Sequence, residues 1–273
     1  MRGEWFSGSA RHRVLAFLIQ SAHVCISFLF NSLCIYFFLL QLHSLFEFDI
    51  FFHFLVKEKR LEVTPIVKYT SLSLFADRFY PCLPRLMQVK HTGSWLLQPM
   101  RESHLQLFAL ISIWISSKIH DSRPLSMKSL KSLGDGIINE QHFTTRDFLE
   151  AEVVLMQVLN FEIGASNIAF VFLEELLSQF KGIAKVGELV NFEACLDIMD
   201  LLYEKEETSV LYSSPCSLAA SILVASYVIT VPRQKWEFPV LPWVKFATSC
   251  NEEDIIEIVG GILKHIFGPS LYV

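Results

Sequence analysis

Two apolar helical repeats constrain this chain more than any other feature of its sequence. The first, LQLFALISIWISSKIHD, begins at Leu105 and places Leu105, Phe108, Ile111 and Ile115 at helical spacing before it reaches Lys118. The second, TTRDFLEAEVVLMQVLNFEIG, begins at Thr144. It has Thr145 as its expected cap, Asp147 in the first turn where the helix dipole favours a carboxylate, and Leu149, Val153, Met156 and Leu159 recurring behind it. Pro124 and a short helical segment, about Leu125 to Leu133, lie between them. Two apolar helices with a small one between them form a compact core from His104 to Phe161. Lys118 and Glu152 stand out as charges inside otherwise buried patterns, because a charge beside a core must reach water or a partner.

The rest of the chain extends this helical reading. Thr64-Pro65 is a helix start, with Thr as cap and Pro in the first turn, and Ile66, Val67, Tyr69, Leu72 and Phe75 face inward until Pro81 and Pro84. Trp95, Leu96 and Leu97 form an apolar island in the following loop, placed as a lid on the core. Gly164 to Asn167 reads as linker and cap. Helices follow over Ile168–Phe180, about Leu189–Glu204, Ser214–Ile229, a short Trp243–Thr248 and Glu252–Phe267. The Ser214–Ile229 segment is rich in small residues, which suits a central helix that others approach closely. No useful period-2 alternation and no Asn-Gly hairpin signal occurs, so the chain is expected to be all-α.

One stretch breaks the pattern. From Val14 to Phe46 there is no Asp, Glu, Lys or Arg. Its length suits a bilayer span, but it is heavy in Phe and Ser and nearly lacks Ala and Gly. Phe, Leu, Ile, Ser, Cys and Tyr share uridine-rich codons, so an intron retained in the coding sequence accounts for the composition. A genuine membrane segment and a buried helix are the other two readings. The flanking charges, Arg11 and Arg13 before it and Lys57, Lys59 and Arg60 after it, give no orientation.

Composition narrows the function classes. The net charge of -5 argues against nucleic acid as partner, since phosphate binding calls for clustered Lys and Arg. The cysteines, Cys25, Cys34, Cys82, Cys195, Cys216 and Cys250, form no CxxC pair, and no Asn-x-Ser/Thr sequon occurs, as expected of reduced thiols in an intracellular chain. The histidines are scattered, and neither HExxH nor a phosphate-cradling glycine loop is present, so no catalytic residue, metal site or cofactor is expected.

Taken in order, the motifs resemble those of the cyclin family, closest to the plant J-type cyclins. LFADRFY, Leu74 to Tyr80, is similar to the close of the family's second helix, with its Asp77-Arg78-Phe79 triplet. The Leu105–Asp121 segment resembles the third helix, which ends in a small residue and Lys. FLEAEVVLMQVLNFEI resembles the fifth, with its Glu and closing Leu-x-Phe. The resemblance covers about Arg11–Ala22 and Glu62–Phe267. It implies two consecutive five-helix folds: an N-terminal cyclin box over 1–163, with an atypical apolar insertion at about 24–60 after its first helix, and a C-terminal cyclin fold over 164–273.

The function so implied is that of a regulatory subunit that binds and activates a cyclin-dependent serine/threonine protein kinase in the cell cycle, residing in nucleus and cytoplasm. In the family, the Lys and Glu matched by Lys118 and Glu152 bind backbone groups near the kinase's mobile helix, and Ile119, Met156 and Phe161 match the apolar contacts. The family's substrate-docking patch matches at Gln106. It departs at Phe17, where Trp is expected, and at Ala10, where Met is expected, which weakens the case for substrate docking. The acidic pair that often follows the Lys is His120-Asp121 here. The alternatives are a membrane-anchored helical interaction protein, which rests on the apolar run at 24–56, or a splice variant of a cyclin with impaired kinase binding.

Overall fold

The computed structural model describes residues 63–267, apart from 84–93, 98–99, 139, 165–166, 205–213, 233–234 and 236–237. The expected first helix at Arg11–Ala22, the apolar run and Phe17 lie outside the described residues. Within them, every regular element is helical, as the periodicity predicts.

Helix α1, Pro65–Leu72, starts where Thr64 is extended and Pro65 fixes the first helical position. The Thr64 hydroxyl makes no cap. It donates instead to Asp121 Oδ1 at 3.2 Å. The chain then widens into a π-helical turn, Ser73–Phe79, in which the Tyr80 amide reaches back to the Phe75 carbonyl, and tightens into a 3-10 turn, Tyr80–Cys82. Such wide turns are rare, and they re-aim the side chains that follow. Here the turn seats Phe79 against Phe108, with ring centroids 4.7 Å apart, and turns Arg78 toward the surface.

Helix α2, Glu102–His120, is the axis of the first helix group. From Ser103 to Ser117 only Gln106 is not buried. Two of its buried hydroxyls are satisfied within the helix, Ser112 donating to the Phe108 carbonyl and Ser116 to that of Ser112. Around α2 pack α1, the short α3 (Met127–Ile137) and α4 (Thr145–Val158). The small middle helix therefore begins two residues later than expected and runs to Ile137. Thr144, not Thr145, caps α4: its hydroxyl accepts from the Asp147 amide while the Asp147 carboxylate accepts from the Thr144 amide, a capping box. Leu96 and Leu97 are buried and Trp95 stacks edge-on against His104, so the apolar island does cover the core.

The second group is built around α7, Pro215–Thr230, whose Ala219, Ala220, Ser221 and Ala225 let its neighbours come close. Those neighbours are α5 (Ala169–Ile183), α6 (Phe192–Glu204), α8 (Val240–Thr248) and α9 (Glu252–Phe267). Ile168, rather than Asn167, stands at the N-cap of α5 and offers no side-chain cap. A 3-10 turn, Lys185–Leu189, precedes α6, which begins at Phe192, three residues later than expected. Phe180 gathers Phe238 and Trp243 around itself, with centroids 5.2 and 5.1 Å away.

The two groups are joined through α1. Tyr69 stacks on Phe170 of α5 at 5.1 Å. Lys68, one residue earlier, pairs with Asp200 of α6 at 2.6 Å, both side chains nearly buried, and Tyr69 donates to the other carboxylate oxygen at 2.9 Å. A buried charge pair with a third hydrogen bond is tolerable where a lone charge would not be.

Candidate functional site

The last turn of α2 carries Lys118 out of the core. Ser117 is fully buried, and its hydroxyl accepts from the Leu125 amide at 2.8 Å. The Trp114 indole N–H donates to the Leu125 carbonyl at 2.9 Å. These two bonds pin the loop after α2 and fix the indole beneath the lysine. The Lys118 ammonium lies 3.3 Å from the centroid of that indole ring and 2.5 Å from Glu152 Oε1. The lysine side chain is 38% exposed and the glutamate 14%, so the pair stands at the edge of the core with one side open to water. An ammonium has three donors and a carboxylate two oxygens, so this contact leaves further bonding capacity on both groups.

Helix α4 divides its apolar residues between two faces. Phe148, Ala151, Leu155 and, just past the helix end, Leu159 are buried against α2 and α3. Leu149 and Val153 are 48% and 46% exposed, and Met156 is half-buried. The expected inward row of Leu149, Val153, Met156 and Leu159 is thus largely an outward one. The core requirement is met one residue earlier along the helix. Glu152 lies on this outer face, between Leu149 and Met156.

Past the end of α4 the chain adopts an unusual shape. Asn160 and Phe161 both have left-handed backbones, with φ of 51° and 60°. The Phe161 amide reaches back to the Met156 carbonyl at 2.8 Å. Asparagine tolerates this region well; phenylalanine does not. The result is an aromatic side chain 64% exposed to solvent. Ile119, beside Lys118, is another exposed apolar residue.

The structure therefore brings Lys118 and Glu152 into direct contact, sets Met156 one turn beyond Glu152, and leaves Ile119 and Phe161 exposed to solvent. It adds Leu149 and Val153, which the sequence reading assigned to the core, and Trp114, which holds the lysine. A partly exposed ion pair among exposed large apolar residues suits protein docking. Gln106, on α2, is half-buried. The residues that follow Lys118 take a structural role: His120 Nε2 is 3.0 Å from Thr70 Oγ1, and Asp121 accepts from Thr64, so both tie the end of α2 to α1. Burial pushes the His120 pKa below its ordinary value, the nearby Asp121 charge acting weakly the other way.

The family profile described as "Cyclin, N-terminal domain" matches residues 93–164, which include Lys118, Glu152 and Phe161. Cyclin-J18 of Arabidopsis thaliana is 63% identical over 206 residues, covering 76% of this chain and 88% of the relative. The chain belongs to the cyclin family. Within that family its likeness is to the plant J type: the Cyclin-J18-like protein of Oryza sativa subsp. japonica is 55% identical to this cyclin over 217 residues, 77% of this chain and 83% of the other. The solved viral cyclin from herpesvirus saimiri resembles this cyclin in fold, with a TM-score of 0.58 over 98% of this chain and 89% of that one, at 16% identity. Membership gives this cyclin a regulatory role. Among the described residues no helix is long and apolar enough to cross a membrane, and the run from Val14 to Phe46 falls outside them.

Proposed function

We propose that this cyclin binds and activates a cyclin-dependent serine/threonine protein kinase in the cell cycle, and that the face around Lys118 and Glu152 is where the kinase docks. The observation that carries this reading is the partly exposed Lys118–Glu152 pair set among Ile119, Leu149, Val153, Met156 and Phe161. The pair's remaining N–H groups suit backbone carbonyls of the kinase, and its second carboxylate oxygen suits a backbone amide. Charge-assisted bonds of this kind are stronger than neutral ones. The apolar residues then cover the mobile helix of the kinase and hold it inward, where its Glu can pair with the ATP-holding Lys. The cyclin performs no chemistry.

Residues 1–163 are read as the first cyclin box and 164–273 as the second cyclin fold. Each has a central helix wrapped by others, α2 in one and α7 in the other. The protein is assigned to nucleus and cytoplasm, in keeping with its unpaired cysteines at 82, 195, 216 and 250.

Co-expression with a panel of plant cyclin-dependent kinases tests the reading. Lys118→Glu and Glu152→Lys are each expected to weaken co-purification by about thirtyfold or more, the scale of a central interface residue. Both variants binding as the wild type does would sink the proposal. The apolar run at 24–56 favours a second reading, membrane anchoring or a splice form with impaired binding. Fractionation of the native protein and a variant lacking Val24–Arg60 separate these: anchoring predicts membrane recovery lost on deletion, and the splice form predicts kinase binding gained.

A further inference from the structure

We infer that Arg78 is a positioning residue for Phe161: its guanidinium clamps the strained turn after α4 and so presents the aromatic ring to the kinase. The inference rests on the docking face proposed above.

Phe161 cannot hold its place through its own contacts, being 64% exposed. Its backbone lies in the left-handed region, directly after another residue that does the same. Two consecutive non-glycine residues in that region persist only when their surroundings over-determine them. The hydrogen bond that the Phe161 amide donates to the Met156 carbonyl fixes the entry to the turn. Arg78 fixes its exit. One terminal nitrogen donates to the Glu162 carbonyl, and the other donates to the Gly164 carbonyl at 3.3 Å. The Glu162 carboxylate, 4.0 Å away and itself 81% exposed, adds little. What matters is the fork. Only a planar guanidinium offers two fixed donors to two carbonyls two residues apart, and lysine cannot reproduce it.

Arg78 is itself held. It sits within the π-helical turn, with Phe79 anchored in the core beside it, and its own carbonyl accepts from the Cys82 thiol at 3.1 Å. The wide turn thus links a core anchor to a surface loop in adjacent residues.

Two measurements on the full chain test this. In amide hydrogen exchange of the free protein, Arg78→Ala is expected to speed exchange at Phe161 to Ile163 by about tenfold while amides of α2 and α4 stay unchanged, as local opening does. Affinity is then read for the plant cyclin-dependent kinase that co-purifies most tightly with the wild type. Arg78→Ala is expected to weaken it by about tenfold, and Phe161→Ala at least as much. The double variant is expected to be no weaker than Phe161→Ala alone, since two residues acting through one contact are non-additive. Arg78→Lys should fail to restore affinity. A merely structural arginine would lower the melting temperature and add its loss to that of Phe161→Ala. Unchanged exchange, or additive losses, overturns the inference. Should Lys118→Glu and Phe161→Ala bind normally, the docking face is wrong and the role of Arg78 falls with it. Should they lose binding while Arg78→Ala keeps it, the face stands and only Arg78 is misassigned.

Discussion

Lys118 Nζ stands 2.5 Å from Glu152 Oε1, bridging the end of α2 to the middle of α4. The same contact ties two helices together and lies in the docking face proposed above, and charge reversal separates the two roles. The double variant Lys118→Glu/Glu152→Lys restores opposite charges across the helices, so its melting temperature should lie close to that of the wild type. Kinase binding should stay lost, because a carboxylate then faces the carbonyls that the ammonium addressed. Recovery of binding in the double variant would mean that the pair only holds α2 to α4.

Lys68 and Asp200 make the opposite case, a pair shut inside the protein. Lys68→Met leaves Asp200 buried without its cation and is expected to cost about 3–5 kcal/mol in denaturant unfolding. Lys68→Met/Asp200→Leu removes both charges and should recover most of that loss, with the Tyr69 hydroxyl still able to donate to the Leu196 carbonyl, now at 3.2 Å. A double variant as unstable as the single one would contradict this account.

His120 predicts a pH dependence. Its pKa lies below the ordinary 6.5, burial being the larger cause and the Asp121 charge a smaller opposing one. The unfolded chain therefore binds this proton more readily than the folded one. Stability from this group is complete above 6.5 and is lost as pH falls from there through the folded value. Urea midpoints compared between about pH 8 and about pH 5.5, where histidine is the titrating side chain, should fall more for the wild type than for His120→Gln. Equal slopes would place the titration elsewhere.

Two glycines of the second group should respond in opposite directions. A Cβ on Gly187 would lie 2.8 Å from the Phe180 carbonyl oxygen, which is backbone and cannot step aside. Gly187→Ala is expected to destabilise by about 1–3 kcal/mol. A Cβ on Gly182, within α5, meets nothing within 4 Å. Gly182→Ala should stabilise by about 0.5–1 kcal/mol through the helix propensity gained. Thermal melts of the two variants check both signs.

The helices were legible because their apolar residues repeat at helical spacing, and three of them also carry a standard polar cap, at Ser126, Thr144 and Ser214. α9 begins and ends as its acidic first turn and basic last turn indicate. The centrality of α7 was legible from its small side chains. What the pattern hid was direction. Leu149 and Val153 fit a helical repeat as well as Phe148, Ala151 and Leu155 do, and hydrophobicity alone cannot say which row meets the core. Two rows on one helix, each complete, were the available sign that one of them is a surface. The left-handed pair at Asn160 and Phe161 was invisible for a different reason. Nothing local favours it in phenylalanine, and the Arg78 carbonyl contacts that accompany it come from more than eighty residues away.

The Lys68–Asp200 bridge spans 132 residues of sequence, and translation runs in one direction. At 5–20 residues per second, roughly 7–26 s separate the emergence of the lysine from that of its carboxylate. Throughout that interval α1 has a cation and a phenol, Lys68 and Tyr69, on a face that is covered only later. The face of α1 that carries Lys68 and Tyr69 is therefore completed only when the second half arrives, and a fragment cut between the two would leave that cation and phenol to water.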